Sequence, residues 1–333
     1  MSNKKIIKIL FNNDGGGVEV SEKMFMHELQ KQGFYILGVI VGGSSPNIYS
    51  NYCDKQIFIS DSRHIKNSVI YKGIGRLGNL YKDIKTFINI VKAIDVSNLD
   101  EFIVSVTRPS GLLIAGLIGR KFNIPVHWHI PGPDVAKTKS RIFILHMITK
   151  FFGIVALGNS KNTARYLGYQ EENVIYPGFD KSRLLTKLTK DQARNKLNFM
   201  SSDILFGVIA RLTYVKAPDI IIEAFLRSEA FKNGAKLVFF GDGKDEIFIK
   251  KIHHKAKEKG FDRIFFTGNL DDVSIAYRAI DVSVHAIRIT EGFGISVAES
   301  CASGVPVIAS SRGGPPEYIE NGKTGWLVGG DEG

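Results

Sequence analysis

Cysteine is scarce: Cys53 and Cys301 are the only two among 333 residues, and they lie far apart in the chain. That spacing gives neither a zinc-type ligand set nor a disulfide framework, so a reducing cytosol is the expected compartment. Asp-x-Asp occurs nowhere, so that arrangement of paired carboxylates for a divalent ion is missing. Long apolar runs are missing too. "GLLIAGLIG" (111–119) is too short to cross a bilayer, and "IFILHMITKFFGIVAL" (142–157) is broken by His146 and Lys150, so no transmembrane helix is predicted. The basic start "MSNKKIIKILFNNDGG" is interrupted by Asn12, Asn13 and Asp14 and reads as a first strand rather than a signal peptide. There is no repeat of solenoid period and no low-complexity tract. Acidic residues are outnumbered, 33 against 44 Lys and Arg, which leaves a net charge of +11. Such a charge suits nucleic acid, an anionic membrane surface, an anionic ligand, or simply a lysine-rich solvated surface. No nucleic-acid-binding motif accompanies it, so nucleic acid is not expected as a partner.

What is present is alternation of strand and helix patterns. Strands are predicted at 6–11, 34–41, 102–107, 124–130, 153–158 and 173–178, with helices between them. A charged, partly helical stretch follows. A second array then has strands at 204–210, 236–241, 263–268, 282–287 and 305–310. This predicts an α/β protein with two doubly wound, Rossmann-like parallel sheets, in domains 1–175 and 204–333 joined by a crossover at 176–203. Such sheets bind ligands at the carboxyl ends of their strands, and with two of them the expected site is the cleft they face.

Several constellations fall on those edges. "GIGRLG" (73–78) matches G-x-G-x-x-G but does not follow the first strand, and no acidic residue closes the next one, so a loop is the better reading. "GGG" (15–17) sits between the first strand and first helix, where backbone N–H groups can face an anion; a tight turn would use the same residues. In "IARLTYVKAPD" (209–219), Arg211 leaves a strand end and Lys216 precedes Pro218 at a helix start. Two cations and a helix N-terminus at one edge suit a diphosphate, although exposed loop cations would look the same.

"TEGFGISVAES" (290–300) places Glu291 in a loop and Glu299 one turn into a helix whose near neighbours include no cation. A carboxylate on that small-residue face needs water or a donor from outside the helix. Ribose hydroxyls would serve Glu299, a sugar hydroxyl Glu291, and the amides of Phe293 and Gly294 a phosphate or sugar. The plainer readings are helix-dipole complementation by Glu291 and simple exposure of Glu299.

The E-x7-E pair inside "EGFGISVAESCASGVPVIASSRGGPPE", with "GVIARLTYVKAPD", "FFGDG" and "FTGNL", resembles the retaining nucleotide-sugar glycosyltransferases of family 4 ("glycosyltransferase group 1"), which have the GT-B fold. The resemblance is specific over 204–328. It is weaker in "GGGVE", "IPVHWHIPGP", "GNSKNT" and "VIYPGFD". It implies that Arg211 and Lys216 hold the donor diphosphate and stabilise it as it leaves. Glu299 would bind the ribose. Glu291, Phe293 and Gly294 would meet the donor sugar, Gly16 and Gly17 would approach the phosphates, and main chain near Gly268 and Asn269 would meet the base. The family's cleft histidine falls where this chain has Pro131, so His129 is the substitute and His127 the reserve; each is also an ordinary strand histidine. Ala217 stands where the family usually has glycine. The family continues past "GWLVGGDEG" with helices that return to the first domain, so the C-terminal end reads as truncated.

The resemblance implies retention, with the acceptor hydroxyl attacking on the face the diphosphate leaves. With Arg211, Lys216 and two helix ends available, neither a divalent metal nor any other cofactor is expected; the donor would be a UDP- or GDP-sugar. The acceptor would be a carbohydrate or a lipid-linked one, in polysaccharide, lipopolysaccharide or capsule assembly. "KTKSRIFILHMITKFF" (137–152) mixes Lys137, Lys139, Arg141 and Lys150 with large apolar residues. That suits a peripheral helix on the anionic inner face of the cell membrane, or an ordinary half-buried helix. The alternative function is a non-catalytic nucleotide-sugar-binding subunit or an inactive truncated transferase.

Overall fold

The structure, a computed structural model, describes residues 5–11, 17–41, 49–59, 84–92, 102–136, 138–260 and 262–329. The chain divides into two compact units, Met1–Gly178 and Phe179–Gly333. The first holds β1 (Lys5–Phe11), α1 (Gly17–Lys31), β2 (Tyr35–Val41) and β3 (Lys55–Ile59). A helix α2 (84–92) follows. Then come β4 (Phe102–Val106), α3 (Leu112–Phe122), β5 (Val126–Ile130), α4 (Lys139–Phe152), β6 (Val155–Gly158) and α5 (Lys161–Tyr166). The second unit holds α6 (Lys190–Lys196), β7 (Leu205–Ile209), α7 (Pro218–Arg227), α8 (Glu229–Lys232), β8 (Lys236–Phe240) and α9 (Glu246–Gly260). It ends with β9 (Ile264–Gly268), α10 (Ser274–Ala279), β10 (Val282–His285), α11 (Ile295–Ala302), β11 (Val307–Ser310) and β12 (Trp326–Val328).

Both sheets are six-stranded, ordered β3-β2-β1-β4-β5-β6 and β12-β11-β10-β7-β8-β9. Every strand pairing is parallel. Within each unit the chain starts in the middle, winds outward, returns and winds the other way, so strand order reverses beside the starting strand. That switch point lies between β1 and β4 in one unit and between β7 and β10 in the other, and it is where loops diverge to leave a crevice. Strands covered on both faces are continuous apolar runs; six of the seven residues of β2 (YILGVIV) are buried.

The differences from the predicted elements have local causes. No strand forms at 173–178. Val174 alone bridges to Gly158, and Pro177 lacks the N–H that a longer pairing would need. β3 and β12, which the periodicity does not reveal, are edge strands. The first is half polar (KQIFI) with Phe58 59% exposed, and the second is three residues long. The stretch read as a crossover belongs to the second unit from Phe179 onward. There Arg194, 4% exposed, donates to the carbonyls of Ala279 and Ser201 and to Asp281. The "GIGRLG" stretch, Gly15, Gly16 and Lys137 lie outside the described residues.

Candidate functional site

The loops after β7 and β10 meet at the second switch point. After β7, a single 3-10 turn, Tyr214–Lys216, leads into α7, with Pro218 at its first position. Lys216 Nζ donates to Glu291 Oε2, joining the two loops, and both side chains remain partly exposed. A recess beside this pair is lined by Ala210, His285, Ser310 and Pro315 as well. Behind it, His285 Nε2 lies 2.8 Å from Ser283 Oγ and Nδ1 lies 3.4 Å from Ser296 Oγ. Burial, with the Lys216 charge second, pushes the His285 imidazole down to about 3, so it stays neutral and adds no competing charge.

The Glu291 loop is fixed by close backbone contact. Glu291 N donates to Arg312 O at 3.2 Å, and Gly314 N donates to Glu291 O at 3.2 Å. Gly313 has φ +103, and a Cβ there would stand 2.0 Å from Glu291 O, so only glycine lets the two segments approach. Gly294, at φ +86, caps the start of α11, and the Tyr318 hydroxyl lies 2.9 Å from Phe293 O and 3.1 Å from Gly294 O. Phe293 packs on the Tyr318 ring, centroids 5.1 Å apart. These bonds hold the two carbonyls of the turn in place.

Glu299 finds its donor outside its own helix: the buried Tyr277 of α10 gives its hydroxyl to Oε2 at 2.9 Å. Among the described residues, Oε1 receives no hydrogen bond. Burial pushes the Glu299 carboxyl up, while Tyr277 and the charge of Arg183 pull the other way. Glu299 is therefore a half-buried acceptor with one oxygen held and one free, which suits a diol. Spacing in sequence gives no sign of Tyr277, which comes from another helix.

Arg211 stands two residues past the end of β7, exposed and in no ion pair among the described residues. Its placement depends on "GDG" after β8. Leu212 N donates to Asp242 O at 2.9 Å. A Cβ at Gly241 would lie 2.1 Å from Ala210 O, and one at Gly243 would lie 2.2 Å from Leu212 O. Gly268 closes β9 at φ +72 with open space where a side chain would go, and exposed Asn269 follows it. Lys216 and Glu291 are thus brought into contact. Arg211, Gly268, Asn269 and the Phe293–Gly294 turn follow strands of the same sheet, with Gly294 close to Glu291, whereas Glu299 lies deeper, within α11.

In the first unit, Gly17 is the first residue of α1. His129 lies on β5 with its ring 4.8 Å from that of Phe25. Burial first, then the Lys8 and His127 charges, hold His129 well below the usual imidazole range; burial lowers His127 as well. A side chain in that state can accept a proton bond but carries no charge.

Ala217 adopts the left-handed conformation, φ +47, and is fully buried. An alanine there costs about 1 kcal/mol that glycine avoids. Ala217→Gly is expected to raise Tm by about 2–4 °C, measured by calorimetry, with the Lys216 turn unchanged.

Residues 189–331 match the family model of "Glycosyl transferases group 1". The lipopolysaccharide core biosynthesis mannosyltransferase LpsB of Rhizobium meliloti is 28% identical over 181 residues, 53% of this chain and 51% of that protein. A GDP-mannose-dependent alpha-(1-6)-phosphatidylinositol monomannoside mannosyltransferase of Mycobacterium tuberculosis is 32% identical over 130 residues, 37% of this chain and 33% of that one. The chain spans about half or less of the length of these relatives. Among solved structures, Anabaena HepE in complex with UDP matches with TM-score 0.78 at 18% identity, over 97% of this chain and 85% of that one. A glycosyltransferase from Rickettsia africae matches with TM-score 0.74 at 20% identity, over 98% and 84%. At those identities the likeness is one of fold, the pair of parallel sheets that defines the GT-B type. Over residues 189–331 the chain therefore matches the glycosyl transferases group 1 family, and its two parallel sheets are those of the GT-B fold.

Proposed function

We propose that the protein moves a sugar from a nucleoside-diphosphate sugar, with UDP or GDP as the nucleotide, to a hydroxyl acceptor with retention and without a metal. The observation that carries this reading is the meeting of Lys216 and Glu291 at the β7–β10 switch point, with Arg211 on the same edge. Lys216 and Arg211 take the diphosphate, and the start of α7 adds its dipole. Glu299 takes the ribose diol, Glu291 a sugar hydroxyl, the Phe293–Gly294 amides the sugar, and Gly268 and Asn269 the base. In the first unit, the neutral His129 is the candidate to accept a hydrogen bond from a hydroxyl. The anomeric carbon–oxygen bond to the diphosphate breaks as the bond to the acceptor oxygen forms. The acceptor's proton passes to a phosphate oxygen, so no carboxylate nucleophile is needed, unlike in a two-carboxylate glycosidase.

Thermal stabilisation by UDP-, GDP- and ADP-sugars, followed by donor turnover in EDTA, tests the reading. Absence of stabilisation by all three donors overturns it. Stabilisation without transfer or hydrolysis identifies a binding subunit instead.

The mannosyltransferases above act in lipopolysaccharide core assembly and on a phosphatidylinositol mannoside. A comparable cell-surface polysaccharide or lipid-linked acceptor, met at the inner face of the membrane, fits the surface of α4. Phe143, Ile144, Met147 and Phe151 are 65%, 48%, 54% and 63% exposed. Lys139, Arg141 and Lys150 are exposed on the same helix, and Arg120 lies over the Phe151 ring at 4.8 Å. No described helix is long and apolar enough to cross a membrane, so attachment through α4 would be peripheral. The chain is expected to sediment with anionic vesicles at low salt. Phe143→Ser with Phe151→Ser should weaken binding by about tenfold or more; equal binding of the double variant removes α4 as the contact.

A further inference from the structure

Arg288, in the β10 loop, does not line the recess. Arg288 leaves β10 three residues before Glu291, yet all its recorded contacts go to the other loop. Nη1 and Nη2 grip Asp219 at 2.9 and 2.7 Å, Nη1 also donates to Tyr214 O at 2.7 Å, and the guanidinium lies 4.1 Å from the Tyr214 ring centroid. Its backbone N–H donates to Val215 O at 2.9 Å. Arg288 and Asp219 are 18% and 30% exposed, so the pair is largely sheltered from water. The planar fork matches a carboxylate in two bonds and stacks on an aromatic face, which ammonium does not do. Asp219 also lies in the first turn of α7, where a carboxylate complements the helix dipole.

The two loops are thus joined twice, and the two pairs run in opposite senses. The β7 loop supplies a cation, Lys216, and an anion, Asp219. The β10 loop supplies an anion, Glu291, and a cation, Arg288. The pairs differ in kind. Asp219–Arg288 is bidentate and closed by backbone bonds, whereas Lys216–Glu291 is a single contact beside the recess. A flexible ammonium is free to change partners; a guanidinium tied at four points is not.

We propose that Arg288 is a positioning residue: its clamp on Asp219 and the 214–216 turn keeps the two loops together while an arriving diphosphate draws Lys216 away from Glu291. The exchange then moves one side chain and neither loop. It also releases Glu291 to accept from a sugar hydroxyl at the moment the sugar arrives. The proposal rests on the donor-binding reading above, and its test separates the two.

The test uses the full chain, with UDP, GDP and ADP as the titrated probes and ligand-free hydrogen exchange as an independent measure. Glu291→Gln removes the competing anion, so the preferred diphosphate should bind about 3–10-fold tighter. Arg288→Met loosens the turn, so it should bind about tenfold weaker or worse. A pair with a merely structural role would shift both variants the same way. Without ligand, amides of 213–217 in Arg288→Met should exchange faster while those of β8 do not change. Asp219→Asn, nearly isosteric, should reproduce the effect if Arg288→Met does not fold. Unchanged exchange in 213–217 overturns the clamp. Weaker diphosphate binding by Glu291→Gln overturns the exchange of partners. Faster exchange with no diphosphate bound by the wild type leaves the clamp standing and removes the donor reading.

Discussion

Lys216→Ala should lower kcat/KM for the donor by about 10²–10³-fold while Tm changes little. The departing nucleoside diphosphate gains negative charge in the transition state. A fixed cation aimed at that charge is worth more there than in the ground state, so the loss falls on kcat as well as on binding. Stability is spared because Lys216 is held by one partly exposed ion pair, of the kind that contributes little to folding. Arg211→Ala should lose activity similarly, since its exposed side chain makes no ion pair among the described residues. Glu299→Ala should show most of its defect in donor KM, because a ribose contact is equally good before and during reaction. Steady-state kinetics on the three variants decide the roles. Full activity of Glu299→Ala beside a dead Arg211→Ala would contradict the division of labour, and an active Lys216→Ala would remove the diphosphate cradle.

The alternation of strands and helices was legible because both sheets are parallel and covered on both faces. Most of their strands are predominantly apolar, and most observed ends fall within one or two residues of the expected ones. Edges were not legible: β3 and β12 lack a second apolar face, so nothing in their pattern separates them from loop. The Glu291–Glu299 spacing and the Arg211–Lys216 loop could be read because each sits within one βα turn. Tyr277 and Arg288 could not, because each acts on a residue 22 or 69 positions away. The lone carboxylate of Glu299 did pose the question that Tyr277 answers in part. The glycines at 241, 243 and 313 look like turn residues in sequence; only the packed backbone shows that each admits the carbonyl of a neighbouring loop.

The largest stability effect is expected at Lys8, the one charged residue within the predicted first strand, 6–11. It is 1% exposed in the middle of β1, and Nζ reaches Ser105 Oγ at 3.2 Å, Thr107 Oγ1 at 3.0 Å and Glu22 Oε1 at 3.6 Å. Tyr49 donates to the other Glu22 oxygen at 3.0 Å. Burial lowers the Lys8 ammonium's pKa, and Glu22 opposes that shift. The cluster ties α1, through Glu22, to the strands on either side of the first switch point. Lys8→Met would fit the space but leave Glu22, itself 7% exposed, with a charge and no cation. Removing one partner of a buried pair costs about 3–5 kcal/mol, whereas replacing both with neutral groups of similar shape is far cheaper. Lys8→Met is therefore expected to destabilise the first unit by about 3 kcal/mol, and Lys8→Met with Glu22→Gln to recover most of it. Urea unfolding followed in the first unit, through Trp128 fluorescence, makes the comparison. If the double variant is no more stable than Lys8→Met, the ion pair is not what fastens α1 to its sheet.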